Sequence, residues 1–215
     1  MSRSRRVVCW RHGQTVWNVE TRFQGQTDIP LNDTGRAQAV RAARMLAALE
    51  PAAIISSDLQ RAAETAGALG RLTGLPVAQD KALRERSGGE WEGLTGAEIR
   101  AGWPEEFMKW QPPGGDPVDE VADAVAGAIE RAVADVPPGG LLVAVGHGAS
   151  LRLGIARLLG LPEDSWDALG GLSNCSWSVI GEGRRGWRLL EHNAGSLPEP
   201  VMGDDQVDGA EAAGL

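Results

Sequence analysis

Tyrosine is absent from this sequence, cysteine occurs twice and histidine three times. Two cysteines cannot build the disulfide framework of a small secreted domain. Cys9 and Cys175 both lie inside apolar, strand-like runs and read as buried, reduced thiols. A basic excess is also lacking: 21 Lys and Arg stand against 29 Asp and Glu, for a net charge of −8. Without a coherent basic face, neither nucleic acid nor an anionic membrane is expected as a partner. The net charge does not bear on a small anionic ligand, which answers to a local pocket. No stretch approaches the ~20 apolar residues of a membrane span. No signal core follows "MSRSRR" either, so a cytoplasmic protein is expected. Tryptophan occurs eight times and is read as packing mass.

What is present is an alternation of apolar runs and helical periods, with no linker-like stretch to divide it. "RRVVCW" reads as a short buried strand. "LNDTGRAQAVRAARMLAALE" is an amphipathic helix with Val40, Ala43, Leu46 and Ala47 on its apolar face. "PAAIISS" is a second strand, followed by a helix opened by Ser57 or Asp58 and closed at Gly74. "LPVAQDKAL" is a weaker third strand. The stretch from Glu85 to Pro117 is loop-rich, with a capping box at Thr95 and Glu98 and a short helix around "PEEFMKW". A long helix follows, repeating Val121, Val125, Ala128, Ile129 and Ala132. "GLLVAVGHG" and "ASLRLGIARLLG" form the last strand–helix unit. "NCSWSVIGEGRRGWRLLEH" reads as a hairpin. The expected fold is an α/β three-layer sandwich, with helices on both faces of a mostly parallel sheet that ends in an antiparallel edge. One domain spans 1–195, and 196–215 reads as an acidic, disordered tail.

Ligands of open parallel sheets bind beyond the carboxyl ends of the strands. The first strand ends in Arg11-His12-Gly13. The second ends in Ser56-Ser57-Asp58, with Arg61 one turn into the next helix. The long strand ends in Gly146-His147-Gly148. If these strands are neighbours, two histidines and two arginines converge, each histidine beside a glycine that lets backbone approach a ligand. Arginines aimed at one spot repel a cation and suit phosphate oxygens, so the pocket reads as an anion site and not a metal centre. Phosphoryl transfer then follows: a neutral imidazole attacks phosphorus, fixed donors hold the equatorial oxygens, and a carboxylic acid protonates the leaving oxygen. Glu85, Glu90 and Glu92 are the candidates for that acid, and spacing does not choose among them.

"RHGQT" with Asn18, "RFQGQTDIPLNDTGRAQA", "SSDLQRAAETA", "LRERSGGEWEG" and "GHG" resemble the histidine phosphatase superfamily in its phosphoglycerate-mutase-like branch. The resemblance runs from about Arg5 to Asn193. It implies a phosphohistidine mechanism with neither metal nor organic cofactor. By motif position His12 matches the nucleophile, and Arg11, Arg61 and His147 match the phosphate pocket with Asn18 as a further donor. Glu85 matches the proton donor, which leaves Glu90 and Glu92 as solvated loop residues. Gln24 and Gly25 match the loop on the substrate side. His192 matches no catalytic position and is read as structural. The sequence departs from the pattern at "SGG", where Gly88 replaces a bulky apolar residue and is expected to loosen the loop behind Glu85. It departs again at "GGDP", which carries Asp116 and Pro117.

The branch's mutases carry a longer, basic insertion between the acid and the second histidine. Here that stretch is short, with Arg100, Lys109 and Arg131, so hydrolysis is expected over mutase chemistry. "LGGLSNCSWSVI" and "WRLLEHNAG" are similar to phosphatases of glucosyl-3-phosphoglycerate. The expected function is therefore a phosphomonoesterase acting on a small phosphorylated metabolite of the sugar phosphate or phosphoglycerate type. The alternatives are a phosphoglycerate mutase and a catalytically silent relative that binds phosphorylated ligands. A homodimer is compatible with all three.

Overall fold

Strand β1 (Arg6–Arg11) is buried over its last five residues, which dictates its place at the middle of a sheet. The structure is a computed structural model that describes residues 4–195; the acidic segment 196–215 lies outside the described residues. After β1 come a one-turn helix α1 (Val16–Val19) and helix α2 (Asp33–Ala47). Next are β2 (Ala53–Ser56), α3 (Gln60–Thr73) and the short β3 (Val77–Gln79). Helices α4 (Gly96–Gly102), α5 (Pro104–Lys109) and α6 (Val118–Ala134) follow. The chain closes with β4 (Leu141–Gly146), α7 (Gly148–Leu158), β5 (Trp177–Gly183) and β6 (Gly186–Ala194).

The sheet order is β3-β2-β4-β1-β5-β6. The first four strands are mutually parallel, and β5 and β6 add an antiparallel edge. Alternate residues of β1 feed two cores. Val8 and Trp10 pack with α2 and α3 residues such as Ala43, Leu46, Ala62 and Leu69. Val7 and Cys9 pack on the other face with Val125 and Ile129 of α6 and Leu151 and Ile155 of α7. The fold is thus the expected three-layer α/β sandwich. β1 and β4 pair in register, Arg11 opposite Gly146. The residue after each strand end is a histidine, so the register itself sets His12 beside His147.

Two local expectations are corrected. Val40 is exposed, and the buried stripe of α2 runs instead through Gln38, Ala39, Ala42, Ala43 and Leu46. α3 starts later than Ser57 or Asp58: Leu59 is its N-cap without a side-chain cap, and the Gln60 N–H donates to the Asp28 carboxylate.

Candidate active site

Five ionisable side chains are buried around the carboxyl ends of β1, β2 and β4: Arg11, His12, Arg61, Glu85 and His147, none more than 6% exposed. Burying that much charge and polarity is unfavourable unless each group has a partner. The partners define the site.

The His12 ring donates from Nδ1 to its neighbour's carbonyl, Gly13 O, at 2.7 Å. A carbonyl can only accept, so the proton sits on Nδ1 and the Nε2 lone pair is left open. His147 is held the opposite way. Its Nδ1 accepts from Arg61 Nε at 3.1 Å, and its Nε2–H therefore donates to Ser57 Oγ at 2.9 Å. The two rings meet edge to face with centroids 5.2 Å apart. Burial, followed by the positive charges of Arg61 and Arg11, drives both imidazoles well below their ordinary pKa and keeps them neutral.

Arg61 spends its other nitrogens on main chain: Nη1 donates to Thr27 O at 2.8 Å and Nη2 to Gly25 O at 2.7 Å. Arg11 donates from Nη1 to Leu172 O, while its Nε is buried with no partner. A buried guanidinium N–H left open is a donor waiting for an anion. Asn18 Oδ1 accepts from Thr15 N, Thr15 Oγ1 and Asn174 Nδ2, which turns its own NH2 toward other acceptors. Gln24 is buried, its Oε1 sharing the Thr15 hydroxyl with Asn18 at 3.1 Å. Of the expected substrate-side pair, Gly25 gives its carbonyl to Arg61. Among the described residues no group of three metal-ligating side chains gathers.

Glu85 sits against the N-terminus of α7. Its oxygens accept from Ala149 N at 3.1 Å, Ser150 N at 2.8 Å and Arg86 N at 2.8 Å. It also borders a cavity of about 500 Å³ whose wall includes Phe23, Arg86, Trp110, Asp116, Arg152 and Trp166. The loop behind it is tied to its neighbours. Gly88 is small because Phe23 packs there: a Cβ would stand 2.4 Å from the Phe23 ring. Asp116 Oδ2 accepts from Ser87 N and from Gln26 Nε2, tying this loop to the one before Arg61.

Sequence reasoning missed three contributors. Ser57, expected at a helix start, instead holds His147. Glu92, expected to be solvated, is half-buried and accepts from Gln26 N, Thr27 N, Thr27 Oγ1 and Gly88 N. Burial works to raise its pKa, and the Thr27 hydroxyl with the Gln26, Gly88 and Thr27 N–H groups overcomes this and holds it below the usual range. Asn174, behind His12, donates to His12 O at 3.2 Å. Gly13 also serves a contact the sequence did not show: a Cβ there would lie 2.4 Å from Gly35 O, so its smallness admits the first turn of α2. The signal for Ser57 was its place at a strand end; for Glu92 and Asn174 no local pattern pointed inward. His192 takes the structural place expected, bridging Ser178 Oγ and Gly170 O.

Comparison with known proteins follows the same outline. The chain is 43% identical over 187 residues to the glucosyl-3-phosphoglycerate phosphatase of Mycolicibacterium vanbaalenii, covering 81% of this chain and 83% of that one. It is 37% identical over 156 residues to phosphoglycerate mutase-like protein 4 of Arabidopsis thaliana, covering 68% and 67%. Among solved structures, a mycobacterial glucosyl-3-phosphoglycerate phosphatase in complex with VO3 superposes with a TM-score of 0.84 at 43% identity, over 88% of this chain and 99% of that one. Residues 7–195 match the family model of the histidine phosphatase superfamily, branch 1, and the chain belongs to that family.

Proposed function

We propose that this protein is a phosphatase that hydrolyses a small phosphate monoester through a phosphohistidine on His12. The observation that carries the reading is the His12 ring itself, neutral, with Nδ1–H tied to Gly13 O and Nε2 open beside two buried guanidinium groups. His12 Nε2 attacks phosphorus, forming the N–P bond as the ester P–O bond breaks. Arg11 Nε, the Arg61 guanidinium charge, the Asn18 amide and Gln24 Nε2 favour the equatorial oxygens, where charge builds in the transition state. His147 keeps Arg61 aimed and adds its own dipole. Glu85, in its protonated form, gives its proton to the departing alkoxide. It then takes a proton from the water that attacks the phosphohistidine, which releases inorganic phosphate and restores His12.

In this reading the leaving group occupies the cavity next to Glu85. Its volume and its mix of aromatic faces with Arg86, Arg152 and Asp116 suit a polar leaving group larger than a triose. Together with the named mycobacterial relatives, this supports a glucosyl-3-phosphoglycerate type substrate over phosphoglycerate alone. The test is phosphate release, without added metal, from glucosyl-3-phosphoglycerate, 3-phosphoglycerate and p-nitrophenyl phosphate by the wild type and by Glu85→Gln. The first ester should give the highest kcat/KM. Glu85→Gln should lose about 10²-fold or more on the alkyl esters and far less on nitrophenyl phosphate, whose leaving group needs no proton. Equal losses on all three would remove Glu85 as the acid, and no release from any ester would remove the enzyme reading.

A further inference from the structure

Glu92 touches neither histidine and neither arginine of the pocket, yet its carboxylate sits at the far end of a short relay into it. The peptide unit joining Gly25 to Gln26 carries a C=O on one side and an N–H on the other, pointing in opposite directions across the trans bond. Its carbonyl accepts from Arg61 Nη2 at 2.7 Å, and its N–H donates to Glu92 Oε1 at 3.0 Å. The peptide is therefore gripped between a guanidinium and a carboxylate, each acting on the end its charge favours. Such chains polarise one another and are stiffer than isolated bonds. A second strand of the relay runs parallel: Thr27 O accepts from Arg61 Nη1, while Thr27 N and Oγ1 donate to Glu92 Oε2. Gly25 is glycine for this purpose, since a Cβ would lie 2.1 Å from Glu92 Oε1, at a backbone φ of 51°.

The other side of Glu92 faces the proton-donor loop. Oε1 also accepts from Gly88 N at 3.0 Å and lies 3.4 Å from Ser87 Oγ, three and two residues after Glu85. One carboxylate thus braces the loop that aims Arg61 and the loop that carries Glu85. We infer that Glu92 is a positioning residue: it fixes the Gly25 and Thr27 carbonyls, and through them the angle at which Arg61 meets the transferred phosphoryl group. The inference rests on Arg61 binding phosphate as proposed above.

The test compares Glu92→Gln, Arg61→Lys and the double variant with the wild type. It reads kcat/KM on one alkyl phosphate, competitive inhibition by inorganic phosphate, and thermal stability. Glutamine keeps the shape but turns an NH2 toward one of the N–H groups that the carboxylate now satisfies. Glu92→Gln should lose about 10- to 100-fold in kcat/KM, the scale of a misaligned catalytic group, and should weaken inhibition by phosphate. In the Arg61→Lys background, which lacks the planar fork, it should cost little more. Should Glu92→Gln not fold, Glu92→Asp, with its carboxylate drawn back by one carbon, serves in its place and should show the same pattern with a smaller loss. Lower stability with phosphate inhibition and kcat/KM of the folded protein unchanged overturns the inference, as does a full additive loss in the double variant. An Arg61→Lys variant as active as the wild type would instead overturn the reading of the pocket on which it rests.

Discussion

His12 and His147 occupy equivalent places, each one residue past a parallel strand and in register with the other, yet their surroundings divide the work between them. The His12 ring is held from one side only, by a carbonyl that fixes its proton on Nδ1. The His147 ring is held from both sides, by Arg61 Nε and by Ser57 Oγ. A ring with one nitrogen free can form a bond; a ring with both nitrogens engaged is an anchor for its neighbours. The backbone rule that put both histidines at the same depth is common to the two. The difference comes from single hydrogen-bond partners.

The comparison breaks most sharply at the proposed nucleophile. His12→Ala should lower kcat by about 10⁴-fold or more, the scale seen when a covalent nucleophile is removed, while leaving binding of inorganic phosphate measurable. His147→Gln should cost less, about 10²- to 10³-fold in kcat/KM, as when the donor it anchors, Arg61, is misaimed, and should still form a covalent intermediate. Equal losses at the two positions would erase the division of roles. Ser57→Ala tests what makes His147 an anchor. It leaves the Nε2–H donor buried without its acceptor, at about 1–3 kcal/mol of stability, and should lower kcat/KM several-fold, in the order His12, His147, Ser57.

The smallest effect is on pH dependence. Both rings stay neutral in the folded protein because burial and Arg61 press their pKa values well below the ordinary 6.5. Unfolded, they take up protons as pH falls through 6.5; folded, they do not. The unfolded state then binds more protons, so stability is greatest above pH 6.5 and declines below it, toward the depressed folded values. Each ring contributes at most about 1.4 kcal/mol per pH unit. Thermal melts between pH 8 and 5 should show this decline, and it should be shallower in His147→Gln. A melt curve identical for the two proteins would contradict the neutral state of His147.

The same contrast explains what could be read from the sequence. The strand ends were legible because apolar runs such as "VVCW" and "LLVAVG" declare buried strands, and a chemistry-bearing residue behind one has few places to go. Hence the convergence of Arg11, His12, Arg61 and His147 could be expected if the three strands were neighbours, and the order β2-β4-β1 supplies that condition. Glu92 was not legible. A glutamate in a Gly-rich loop has the signature of a solvated residue, and only the meeting of two loops distant in sequence gives its oxygens their donors. Gly88 and Gly13 misled for a related reason. A glycine declares that something comes close but not what: Phe23 in one case, Gly35 in the other. The exposed Val40 shows the limit of period alone, since α2 buries small alanines on the face where its larger residue was expected.

The central claim is that the open Nε2 of His12, and no other group, carries the phosphoryl intermediate. The direct measurement is rapid mixing with an alkyl phosphate, an alkaline quench that preserves the acid-labile N–P bond, and peptide mass spectrometry. The account predicts one added phosphoryl group on the peptide containing His12, at the same site in His147→Gln and absent in His12→Ala. A phosphoryl group on His147, or continued turnover by His12→Ala at the wild-type rate, would contradict it.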